Sequence, residues 1–130
     1  MEIRMVFEHF ALNVGHIHEV REWYTAHLGL TIVSEQTDLP WMTFLADSSG
    51  RVVMELYHRP DEAITNFKDH HPLTFHVAFV SKDAEKDKRR LMEQGASFVE
   101  EIKKEDGSRL VMMRDPWGLP LQLCQRTRPF

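Results

Sequence analysis

The chain has 130 residues, with 16 Lys and Arg against 20 Asp and Glu, and a formal charge of −4 when its eight His are neutral. That length suits one domain, or two small modules sharing a core, and 42% hydrophobic with 28% charged residues excludes a disordered chain. No run approaches the ~20 apolar residues of a spanning helix, the opening MEIRMVFEHF holds no signal core, and the single Cys124 precludes an internal disulfide or a multi-thiolate zinc site. A cytoplasmic protein is expected. The mildly acidic, mixed charge argues against a nucleic-acid partner.

Residues 7–14 (FEHFALNV) read as a strand rich in aromatic and branched side chains. Residues 16–28 switch to helical spacing, with Ile17, Val20, Tyr24 and Leu28 on one stripe, and Gly29 follows where a helix stops. Strands are expected at 30–35, 41–46 and 51–57, the last two joined by Asp47-Ser48-Ser49-Gly50, which is turn chemistry. Residues 58–72 are polar, hold two prolines and show no period, so they read as a linker. Then the order begins again: a strand at 73–80, a charged helix at 83–94 stopping at Gly95, and strands at 97–103, 108–114 and 119–125. The chain reads as α+β, a βαβββ module written twice, module 1 at about 7–57 and module 2 at about 73–125.

Placement supports the duplication where identity does not. His9 and His76 are 67 positions apart, and so are Glu55 and Gln122; Gly29 and Gly95 are 66 apart. His9 and His76 each fall in the first strand of a module, Glu55 and Gln122 each in the fourth. Strand side chains alternate between faces, and each of the four lies opposite the greasier face of its strand.

Taken singly, each has a plain explanation. Glu55, inside Val52-Val53-Met54-Glu55-Leu56-Tyr57, could pair with Arg109 or Arg114, and either histidine could be hydrogen-bonded within its strand. Jointly, two imidazoles, one carboxylate and one carboxamide at duplicated positions suit a divalent transition ion with room for water or substrate. Trp23 and Tyr24 read as core; His16, His18, His27, His70 and His71 read as surface. Arg51, Arg59, Arg109, Arg114 and Arg126 are available to hold an anionic group. No glycine-rich phosphate loop or nucleophile elbow is present.

Over nearly its whole length the chain resembles the vicinal oxygen chelate superfamily, which includes glyoxalase I, bleomycin-resistance proteins, methylmalonyl-CoA epimerase and extradiol dioxygenases. The resemblance rests on Glu8-His9-Phe10-Ala11-Leu12-Asn13-Val14, Trp23-Tyr24 before Leu28-Gly29-Leu30, and Met54-Glu55-Leu56. It continues in His76-Val77-Ala78-Phe79-Val80 and in Asp115-Pro116-Trp117-Gly118 before Leu121-Gln122-Leu123. It implies a single glyoxalase-like domain whose two modules form an incomplete barrel around a metal, with ligands from the first and fourth strand of each module. Those positions are His9, Glu55, His76 and Gln122. It also implies a homodimer, as in many relatives.

The departure is at Gln122, where glyoxalase I has a glutamate that serves as ligand and base. An amide cannot take a proton at neutral pH, so the proton chemistry would move to Glu55. The epimerase type carries the same four residue types with glutamine and glutamate exchanged between modules. The resemblance thus points to a metal-dependent lyase or isomerase of the glyoxalase type. Such an enzyme would act on a small oxygen-chelating substrate by proton transfer through a metal-stabilised enediolate, with zinc, nickel, cobalt, manganese or iron as the cofactor. The alternatives are a non-haem iron dioxygenase using His9, His76 and Glu55, and a drug-sequestering protein without turnover.

Overall fold

A computed structural model describes residues 1–130. The chain divides into two compact units, Met1–Thr65 and Asn66–Phe130. The first runs β1 (Phe10–Asn13), α1 (Ile17–Leu28), β2 (Thr31–Glu35), β3 (Thr43–Ala46) and β4 (Val52–Tyr57). The second runs through a single 3₁₀ turn (Phe67–Asp69) to β5 (Val77–Val80), α2 (Ala84–Glu93), β6 (Ser97–Lys103), β7 (Arg109–Arg114) and β8 (Pro120–Gln125). Each unit is an open four-stranded mixed sheet with one helix, in the orders β1-β4-β3-β2 and β5-β8-β7-β6. The first and last strand of each unit pair in parallel and the remaining neighbours are antiparallel. The α+β class and the βαβββ order written twice are as the sequence implies. No helix is long and apolar enough to cross a membrane.

The two parallel ladders share one register. Phe10 faces Met54 and Ala11 faces Glu55; Val77 faces Leu121 and Ala78 faces Gln122. The 67-residue shift carries the whole first ladder onto the second. In the first unit α1 packs on β4, burying Ile17, Val20, Trp23 and Tyr24 on the helix and Met54 and Leu56 on the strand. In the second, α2 packs on β6, β7 and β8, with Leu91, Val111, Met113 and Leu121 fully buried. Asp83 caps α2 by accepting from the Lys86 N–H at 3.0 Å, and Gln125 Oε1 accepts from the Ala84 N–H at 2.8 Å, which ties the start of the helix to β8.

Strand starts differ from expectation at both duplicated sites. β1 begins at Phe10, not 7, and β5 at Val77, not 73, so His9 and His76 stand just ahead of their strands. Before β1, the Phe7 carbonyl is taken by the Arg51 guanidinium instead of a ladder partner. Before β5, the chain turns: the N–H and hydroxyl of Thr74 both donate to the His71 carbonyl, at 2.9 and 2.7 Å. β3 likewise begins at Thr43, two residues after Trp41, whose φ of 54° is incompatible with a strand.

The turn before β8 depends on Asp115. The residue is 5% exposed, and its carboxylate accepts from the N–H groups of Trp117 and Leu119, both at 2.9 Å. Gly118 closes the turn at φ 98°, a conformation that side chains rarely adopt. Asp115→Ala leaves two sheltered donors unpaired and is expected to cost about 3 kcal/mol. Asp115→Asn keeps an acceptor oxygen and is expected to cost less than half as much, both read from urea unfolding.

Candidate functional site

In the first unit the pairing of Ala11 with Glu55 decides which side chains meet. Residues facing each other across a ladder share a face, and alternation assigns His9 and Asn13 to that face too. His9 Nε2 lies 3.6 Å from Glu55 Oε1, with the two side chains 27% and 12% exposed. The pair is sheltered yet reachable. Phe44, opposite Glu55 on β3, stands edge-on to the His9 ring with centroids 5.3 Å apart. The other ring nitrogen, Nδ1, is 2.9 Å from Glu8 Oε1. A carboxylate only accepts, so Nδ1 holds a proton and donates it, and a neutral ring then keeps its lone pair on Nε2.

Asn13 shapes the rim of this face. Its amide nitrogen donates to the carbonyls of Arg59, Glu62 and Ala63, at 3.1, 3.3 and 3.2 Å, and its oxygen accepts from the Arg59 N–H at 2.7 Å. The segment after β4 is thereby folded back to β1. Sequence reasoning assigned Asn13 no role; its position two residues beyond Ala11 on the His9 face was the available signal.

The second unit repeats the arrangement with different chemistry. Ala78 faces Gln122, and His76 stands two residues ahead of Ala78 as His9 does of Ala11. His76 Nδ1 is 3.1 Å from the Pro72 carbonyl, which again forces the proton onto Nδ1. Gln122 is half-buried, and its Oε1 accepts from the Cys124 thiol at 3.3 Å. Burial pushes the Cys124 pKa up, which keeps the sulfur protonated and a donor. An amide oxygen has two lone pairs, so one remains for another partner. His9 and Glu55 approach each other directly; no hydrogen bond joins His76 to Gln122.

The arginines considered for Glu55 are engaged inside their own unit. Arg109 pairs with Glu101 and, at 3.3 Å, with Glu85. The Glu101 carboxylate beside it raises the Arg109 pKa, while Lys88 and Arg89 hold the Glu85 carboxyl below its usual range. Arg114 donates to the carbonyls of Phe67, Gly118 and His70 at 2.7, 3.0 and 2.8 Å. Arg51 and Arg59 hold the Phe7 carbonyl and Asp61. No three His, Cys, Asp or Glu side chains of the chain gather into a group able to hold a metal ion.

Two open βαβββ units, each with a histidine just ahead of its first strand and a polar side chain on its fourth, define a glyoxalase-like fold. The chain belongs to the Glyoxalase/Bleomycin resistance protein/Dioxygenase superfamily, matched over residues 6–123. Among solved structures it is similar to a glyoxalase family protein from Enterococcus faecalis, with 22% identity and a TM-score of 0.69, over 92% of this chain and 96% of that one. It is similar also to TnmS3, an antibiotic binding protein from Streptomyces sp. CB03234, with 19% identity and a TM-score of 0.66, over 98% and 99%. UcmS2 gives 19% identity and a TM-score of 0.73 over 95% and 100%. No curated protein matches the chain in sequence.

Arg114 anchors the 3₁₀ turn that leads into Pro72 and His76. Lysine cannot hold three carbonyls in one planar fork. Arg114→Lys is expected to speed amide exchange across residues 67–76, read by hydrogen exchange, and to leave β1 and β4 unchanged.

Proposed function

We propose that the chain is a metal-dependent lyase or isomerase of the glyoxalase type, and that His9, Glu55, His76 and Gln122 are the donors to one divalent ion. The observation that carries this reading is the His9–Glu55 pair: an imidazole nitrogen and a carboxylate oxygen 3.6 Å apart on a half-buried face. No lysine or arginine neutralises that carboxylate. The donor set fits the group. Both histidines spend Nδ1 on a protein acceptor and keep Nε2 for a ligand, the usual arrangement of metal-binding imidazoles. Gln122 retains a free oxygen lone pair.

When bound, the ion would supply Lewis-acid chemistry, polarising adjacent oxygens of a small substrate. Glu55 is the only carboxylate among the four and takes the role of proton acceptor at the neighbouring carbon. Its proton is returned at the adjacent carbon, which makes the reaction an isomerisation or a lyase step according to the substrate. Phe44 and Tyr57, on the Glu55 face, supply the apolar wall. The assembly is a homodimer, supported by apolar side chains left exposed on β2 (Ile32, Val33) and β6 (Phe98, Val99, Ile102).

One observation favours a second reading, a small-molecule binding protein without turnover. With a single carboxylate in the set, a Glu55 bound to metal leaves no separate base. Titration with zinc, nickel, cobalt, manganese and iron followed by elemental analysis tests for the site. His76→Ala is expected to lower occupancy more than Gln122→Ala, since a neutral amide is the weaker donor. Equal occupancy in wild type and His76→Ala refutes the donor set. Glu55→Gln is expected to keep much of the metal but lose at least ~10²-fold in turnover on dicarbonyl–thiol adducts. Undiminished turnover in that variant makes Glu55 a ligand only. Oxygen uptake with a catechol substrate would assign the dioxygenase chemistry instead.

A further inference from the structure

Adjacent residues in a regular strand point to opposite faces, so Glu8 and His9 would not meet if β1 extended to residue 7. Because β1 begins at Phe10, the backbone ahead of it brings the Glu8 carboxylate to 2.9 Å from His9 Nδ1. Glu55 faces the opposite nitrogen of the same ring. In the second unit the equivalent imidazole has no carboxylate behind it. The turn at 72–74 supplies the buried Pro72 carbonyl instead.

We propose that Glu8 is a positioning residue that selects the Nδ1–H tautomer of His9 and so keeps Nε2 as the donor beside Glu55, the task that the Pro72 backbone carbonyl performs for His76. The inference rests on the reading of His9 and His76 as metal donors for its purpose, but the tautomer itself is a property of the metal-free chain. A neutral imidazole free in water prefers its proton on Nε2, the wrong nitrogen for an Nε2 donor. Each unit must therefore override that preference. The two overrides differ in kind: a backbone carbonyl is fixed by the fold, whereas a side chain 82% exposed on an ordered partner can be removed by one substitution. Outer-shell acceptors of this kind contribute roughly 10–100-fold to metal affinity, and the exposure of Glu8 places it near the lower end.

The test is nitrogen-15 NMR of ring-labelled histidine in the metal-free protein, at a pH where the rings are neutral, in wild type, Glu8→Ala and Glu8→Gln. Wild type should show Nδ1–H for both His9 and His76. Glu8→Ala should shift His9 toward Nε2–H and leave His76 unchanged. Glu8→Gln, which keeps an acceptor oxygen, should restore Nδ1–H. Nε2–H on His9 in wild type, or an unchanged His9 in Glu8→Ala, overturns the proposal. Calorimetric zinc titration of the same proteins should show about tenfold weaker binding for Glu8→Ala, with Glu8→Gln closer to wild type. Equal zinc affinity in wild type and Glu8→Ala removes the positioning role while the donor set stands. If no variant binds zinc and the tautomers follow Glu8 as stated, the donor set falls and the tautomer assignment stands.

Discussion

In a pleated strand, side chains two apart point the same way, and a residue facing them across the ladder joins that side. The parallel pairing of Ala11 with Glu55 uses this rule to bring His9 beside Glu55, 46 positions further along the chain. Alanine is the partner that leaves space: with only a methyl group opposite Glu55, the longer His9 side chain reaches across from two residues ahead. The same register recurs with Ala78 and Gln122. A one-residue slip in either ladder would turn the polar side chain into the layer occupied by Met54 and Leu56, or by Leu121 and Leu123. The register is held by the hydrophobic face as much as by hydrogen bonds, because burying a charged Glu55 under α1 would be far costlier than leaving it on the open side.

The two units solve one geometric problem with different materials. The first is closed at its strand end by a side chain, Asn13, which gathers three carbonyls from the segment after β4. In the second, Arg114 collects carbonyls from the 3₁₀ turn and the residue after it, and from the β7–β8 turn. In both cases a multivalent polar group satisfies backbone that would otherwise be unpaired near a candidate donor. His9 and His76 are themselves set by the backbone ahead of their strands, held by the Arg51–Phe7 contact in the first unit and by the Thr74–His71 turn in the second.

Much of the fold was legible because the signals are local. Gly29 and Gly95 end the helices, and Asp-rich turns separate the hairpins, so element order followed from turn chemistry and periodicity. The shared 67-residue shift made the duplicated ladders legible as well. What was not legible depended on departures from regularity. The late start of β1 and β5 arises from contacts made by Arg51 and Thr74 with distant or looped-back carbonyls, which no periodicity reveals. The Glu8–His9 contact was hidden for the same reason, since strand alternation assigns neighbours to opposite faces. Arg109 and Arg114 were plausible partners for Glu55 by charge alone, and only their engagement with Glu101, Glu85 and three carbonyls removes them.

The donor set also makes a distinction that charge and composition do not. Cys124 lies two residues from Gln122 on β8, and its thiol donates to the amide oxygen, so sulfur stands close to the proposed coordination sphere while remaining protonated. X-ray absorption at the zinc edge of the loaded protein separates the two outcomes directly. The predicted spectrum is a nitrogen and oxygen shell near ~2.0 Å with the outer-ring scattering of two imidazoles and no sulfur. A zinc–sulfur shell near ~2.3 Å, or scattering from fewer than two imidazoles, would contradict the assignment of His9, Glu55, His76 and Gln122 as the donors.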